Sequence, residues 1–84
     1  MATLAETRQT RVDEATGLRI VTEYSRTEYG AILDYSPYGG RPWFAHSFYE
    51  ETEDALRAFQ GFNPLWQDTA PDHYRILETV CIGR

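Results

Sequence analysis

The sequence predicts an α+β fold: a small antiparallel β-sheet of three to five strands, arranged as a meander, with one helix packed on one face. Three observations lead there. Runs between Leu18 and Tyr49 alternate apolar and other side chains with the period of two that a strand imposes. The stretch 50–62 repeats apolar residues at helical spacing. Eighty-four residues make one small domain, 1–84, close to the lower size limit for a fold without disulfides.

Residues 1–6 are expected to fray. Thr7 to Asp13 is a polar strand suited to a sheet edge, with Val12 its one apolar position. Asp13 to Gly17 is a turn in which Gly17 supplies a positive φ. In the next strand, Leu18 to Tyr24, the residues Leu18, Ile20, Thr22 and Tyr24 share a face. Ser25–Thr27 is a short polar connection. The strand Tyr29 to Tyr35 places Tyr29, Ala31, Leu33 and Tyr35 on one face and Glu28, Gly30, Ile32 and Asp34 on the other. Ser36 to Arg41 is a loop with a proline and two glycines. From Pro42 to Tyr49 runs the third hydrophobic strand, with Phe44, His46 and Phe48 on one face. Trp43, Ala45, Ser47 and Tyr49 take the other.

Glu50 to Phe62 is the helix. Thr52 is the expected N-cap, Glu53 and Asp54 bring negative charge to the first turn, and Gly61 marks the end before Asn63-Pro64. Ala55, Leu56, Phe59 and Phe62 form its core-facing stripe. Leu65 to Asp72 is a loop carrying Trp66. Residues 74–82 fit two patterns. As a strand, Tyr74, Ile76, Glu78, Val80 and Ile82 alternate with Arg75, Leu77, Thr79 and Cys81. As a helix, Ile76, Leu77, Val80 and Cys81 make a stripe with Thr69 as N-cap. The β-branched Thr79, Val80 and Ile82 favour the strand. The expected core is Ile20, Leu33, Phe44, Phe48, Leu56, Phe59 and Ile76.

A hydrophobic content of 42% places the chain among folded proteins rather than disordered ones. No apolar run approaches bilayer length, and Met1 to Thr10 has no signal-peptide h-region, so a cytoplasmic protein with no membrane partner is expected. The single cysteine, Cys81, excludes an internal disulfide framework and a multi-cysteine zinc site. All eight basic residues are arginine. Their even spread favours the codon composition of a GC-rich genome over selection for guanidinium contacts. A net charge of −5 opposes direct nucleic-acid binding and suits a partner with a basic surface.

No catalytic, metal or cofactor motif stands out. Cys81 lacks a nucleophile signature, and His46 and His73 lack the spacing of a metal pair. Glu50, Glu51, Glu53 and Asp54 read as a solvated helix start. Gly39-Gly40 precedes a strand, not the helix that a phosphate loop requires. The aromatics carry more information. Eleven of the twelve fall between Tyr24 and Trp66 and occupy both faces of the strands. A sheet covered by one helix needs one apolar face; the second is a surplus suited to contact. Tyr, Trp and Arg dominate interface hot spots, which makes Tyr24, Tyr29, Tyr35, Tyr38, Arg41 and Trp43 the candidate partner-binding residues.

The expected function is non-enzymatic protein binding, with homodimerisation among its forms. In format alone, small and acidic, the chain resembles inhibitors encoded by phages and mobile elements, anti-CRISPR proteins among them; no motif is shared. Two rivals are defined by what would favour them. A deep cleft with His46 at its base would favour a small-ligand binder or enzyme that uses His46 and the tyrosines. A continuous stripe of Arg19, Arg26, Arg41 and Arg75 would favour a nucleic-acid-binding accessory protein.

Overall fold

The structure is a computed structural model that describes residues 9–61 and 70–83. Its elements are β1 (Gln9–Val12), β2 (Arg19–Ser25), β3 (Gly30–Tyr35), β4 (Phe44–Tyr49), α1 (Thr52–Gln60), α2 (Ala70–His73) and β5 (Tyr74–Cys81). They form a small α+β fold, a five-stranded and mostly antiparallel sheet with α1 on one face. The expectations for residues 1–6, Phe62, Leu65, Trp66 and Thr69 lie outside the described residues.

The strand order is β1-β2-β5-β3-β4. The two local hairpins form, β1 with β2 and β3 with β4. The meander is corrected between them, because β5 lies between β2 and β3, parallel to the first and antiparallel to the second. Residues 74–81 are therefore a strand, and a central one. Its composition explains the place. Ile76 is fully buried on one face while Leu77 is half-buried on the other. A strand apolar on both faces leaves least apolar area in water at the centre of a sheet. The β2–β3 connection spans the extra strand, with Ser25 Oγ accepting the Thr27 and Glu28 amides at 3.2 and 3.0 Å.

The β1–β2 turn forms as expected. Gly17 has φ 79°, its N–H donates to Asp13 O at 2.7 Å, and the Asp13 carboxylate accepts from Thr16 N and Oγ1. The Ser36–Arg41 loop is pinned rather than free. Fully buried Ser36 donates its N–H to His73 O, its carbonyl lies 2.7 Å from His73 Nδ1, and its hydroxyl accepts the Gly40 amide. The Arg41–Pro42 peptide is cis.

Helix α1 begins at Thr52, with Glu51 at the N-cap position in extended conformation and making no side-chain cap. The expected Thr52 cap is thus corrected; its hydroxyl donates to the Glu78 carboxylate instead. Gly61 closes the helix in right-handed conformation, its N–H shared between Arg57 O and Ala58 O. Ala55 and Phe59 are buried in a core with Leu18, Ile20, Ala31, Leu33, Tyr74 and Ile76, against which Leu56 packs part-buried.

Strand β4 departs most from expectation. Leu33 pairs with Ser47 and Asp34 with Ala45, so His46 is an extra residue, a β-bulge. A bulge reverses the inside–outside alternation beyond it. Phe44 and Phe48 therefore lie on opposite faces. Both were expected in the core, and they are 54% and 72% exposed.

Candidate functional site

Alternation and register assign every strand residue to a face. The helix side holds Ile20, Thr22, Tyr74, Ile76, Ala31 and Leu33, all buried against α1 or the core around it. The opposite face carries no described helix. Across its middle runs a row of paired neighbours, Val21, Leu77, Ile32 and Phe48, one from each of β2, β5, β3 and β4. The first three are half-buried and Phe48 is open to solvent at the sheet edge.

Charged residues flank this row. On one side lie Arg19 of β2, Arg75 of β5 and Asp34 of β3. Arg75 Nε donates to Asp34 Oδ2 at 3.0 Å, and its guanidinium stands 4.5 Å from the Trp43 ring centroid. The three groups form one unit, in which Asp34 is 6% exposed. On the other side lie Glu23 of β2, Thr79 of β5 and Gly30 of β3.

The six expected contact residues do not form one patch. Tyr38, 80% exposed, and Arg41, also exposed, lie in the loop after β3, with half-buried Trp43 beside them. Tyr29, 65% exposed, is at the other end of β3. Tyr35 packs against the core with its ring 5.2 Å from Tyr74. Tyr24 belongs to the helix-side face of β2 and is half-buried. Val21, Ile32, Leu77 and Phe48 were not among the expected residues. Their signal was present: Ile32 stands between Ala31 and Leu33, and Leu77 follows Ile76, so both parities of β3 and β5 are apolar.

On the helix side, at the N-terminal end of α1, Glu78 gathers a polar cluster. Arg11 donates to it through Nη1 and Nη2 at 3.0 and 3.2 Å, Thr22 Oγ1 at 2.8 Å, and the Thr52 hydroxyl completes the set. The Arg11 hydrogen bond, more than burial opposes it, holds the Glu78 carboxyl at about 2, with Thr52 and Thr22 assisting. The same bond raises the Arg11 guanidinium. An open cavity of about 940 Å³ lies here. Asp13, Glu14, Glu50, Glu51, Glu53 and Glu78 line it, opposed by Arg11.

His46 lies exposed at the bulge, its ring edge-on to Tyr74 at 6.2 Å. It borders neither this cavity nor a second, of about 470 Å³, formed by Tyr29, Gly30, Ile32, Phe48 and their neighbours. Arg19 and Arg75 are adjacent on the open face, whereas Arg26 follows β2 at its opposite end, so the four arginines do not make a continuous stripe. Cys81 is half-buried, its sulfur 3.6 Å from Arg26 O. Among the described residues no group of three or more His, Cys, Asp or Glu is placed to hold a metal ion, and no helix is long and apolar enough to cross a membrane. No family model, curated protein or solved structure matches the chain.

Proposed function

We propose that this chain is a non-enzymatic protein-binding domain that uses the face of its sheet opposite α1. Within that reading it acts as an inhibitor, an adaptor or an oligomerising accessory protein. The supporting observation is the row Val21–Leu77–Ile32–Phe48. Burial of apolar surface is the main favourable term in association, and a contiguous apolar band with a polar border marks an interaction surface. The Arg75–Trp43–Asp34 unit borders the band with residue types that anchor interfaces. Tyr38 and Arg41 extend it onto a loop that Ser36 and His73 hold in place.

The test is affinity capture from host lysate with the parent protein and with Phe48→Asp. Since Phe48 is 72% exposed, the substitution leaves the core alone. A protein retained by the parent and lost with the variant is the expected result. Identical captures would remove the open face from the reading.

A second reading rests on the acidic cavity. Six carboxylates against one guanidinium suit a basic segment of a partner protein. It predicts that Glu51→Arg with Glu53→Arg abolishes capture while Phe48→Asp leaves it intact.

A further inference from the structure

We infer that the occupant of the open sheet face is a second copy of this chain, packed face to face about a two-fold axis along the apolar row. The inference rests on the reading of that face as a protein-binding surface, and it names the partner.

The order of side chains along β2 carries the inference. On the open face Arg19, Val21 and Glu23 follow one another at the period of two. The order is cation, apolar residue, anion, with Val21 at the centre. A closed dimer interface must be complementary to itself. Two in-plane axes are simple for stacked sheets. An axis parallel to the strands and along β5 would set Arg75 opposite its own counterpart and Arg19 opposite Asp34, which is buried and already paired with Arg75, and would leave Glu23 opposite Gly30. An axis along the row reverses the strand direction instead. Each Arg19 then lies opposite the other copy's Glu23, and Arg75 lies opposite Thr79, because these pairs are equally spaced about the row. Val21, Leu77, Ile32 and Phe48 meet their own counterparts in the middle. Stacked sheets pack about 10 Å apart, with strand directions within about 30° of each other. Only the axis along the row joins Arg19 to Glu23 at both ends, which makes the surface its own partner.

Size sets the strength. Five strands at about 4.8 Å, each rising about 3.3 Å per residue, present a face on the order of 500 Å². A standard interface takes about 800 Å² from each partner. A face below that size places the dimer among weak, transient associations, to be sought in the micromolar range.

The experiment is sedimentation equilibrium of the full chain from about 1 to 500 µM, spanning that range. The parent protein is expected to pass from monomer to dimer. Phe48→Asp is expected to weaken dimerisation at least about tenfold, because it sets a carboxylate of each copy against its counterpart at the end of the apolar row. Arg19→Glu alone and Glu23→Arg alone each bring like charges together at both ends of the interface, and each is expected to weaken it. An equimolar mixture of these two single variants brings opposite charges together and is expected to restore dimer to the parent level. Each chain in the mixture carries one substitution, so the restoration is intermolecular. Circular dichroism of every variant confirms the fold, and Arg19→Asp with Glu23→Lys replaces a pair in which one member fails to fold. A parent protein monomeric throughout, a dimer indifferent to Phe48→Asp, or a mixture no better than its components would overturn the inference. A monomeric parent whose lysate partner is still lost with Phe48→Asp would overturn the dimer and leave the protein-binding reading standing.

Discussion

Glu78 sits where four elements meet. Arg11 comes from β1, Thr22 from β2 and Thr52 from the start of α1, and all three donate to the one carboxylate of β5. Its pKa is lowered from 4.5 to about 2, which gives a signed prediction. The unfolded chain takes up the proton near pH 4.5, whereas the folded chain resists until about pH 2. Stability from this cluster is thus fully present above pH 4.5 and is lost as the pH falls from there towards 2. Thermal melts between pH 6 and pH 2 should show Tm falling through that window, and Glu78→Gln should flatten the fall. An unchanged slope in the variant would assign the acid sensitivity elsewhere. Asp34 supports a second prediction. Arg75→Ala leaves that buried carboxylate without its ion pair and removes the cation above Trp43. The expected cost is about 1–3 kcal/mol, read by urea titration, with quenching of Trp43 fluorescence altered as well. Arg41→Ala, on the exposed loop, should leave stability unchanged within about 0.5 kcal/mol.

At the scale of elements, α1 holds its side of the sheet through few side chains. Phe59 is 1% exposed and its ring lies 5.5 Å from that of Tyr74. Phe59→Ala should cost about 3–5 kcal/mol, a large share of the stability of so small a domain. A denaturant midpoint equal to the parent's would show that the helix does not seal the core. The β1–β2 turn offers a smaller test. Gly17 occupies left-handed space at φ 79°, and Gly17→Ala should cost about 1–2 kcal/mol in a urea titration. The helix stripe and this turn were legible in the sequence because both depend on local chemistry: 3.6-residue periodicity in one, a residue tolerant of positive φ in the other. The β4 bulge was not. Phe44, His46 and Phe48 alternate perfectly in sequence, and nothing local marks His46 as extra. The bulge appears once β4 is set against β3.

At the scale of the whole molecule, the charges of the described residues are unevenly distributed. The cavity beside α1 carries six carboxylates and Arg11, a local net of −5 that equals the formal charge of the entire chain. The open face balances Arg19 and Arg75 against Asp34 and Glu23. A surface of that kind neutralises few phosphates. Duplex DNA should accordingly show no salt-sensitive binding in fluorescence anisotropy at physiological ionic strength. Micromolar binding that weakens steeply with added salt would overturn this view.

Local rules by themselves determined the strand segments, the helix, the turn at Gly17 and the α+β class. Each depends on periodicity, propensity or backbone freedom within about ten residues. The surplus of apolar side chains on a second face was also present in the chain, though its aromatics pointed to Tyr24, Tyr29, Tyr35, Tyr38, Arg41 and Trp43 as one patch. Tertiary structure decided that these residues divide between two ends of β3 and the helix-side face. It also decided that β5 enters between β2 and β3, which aligns Val21, Leu77 and Ile32 from segments far apart in sequence. The bulge at His46 then turned Phe48 outward to complete the row. Strand neighbours and register are set by which pairing buries the most apolar area across the whole sheet, a property of all five strands together and of none alone.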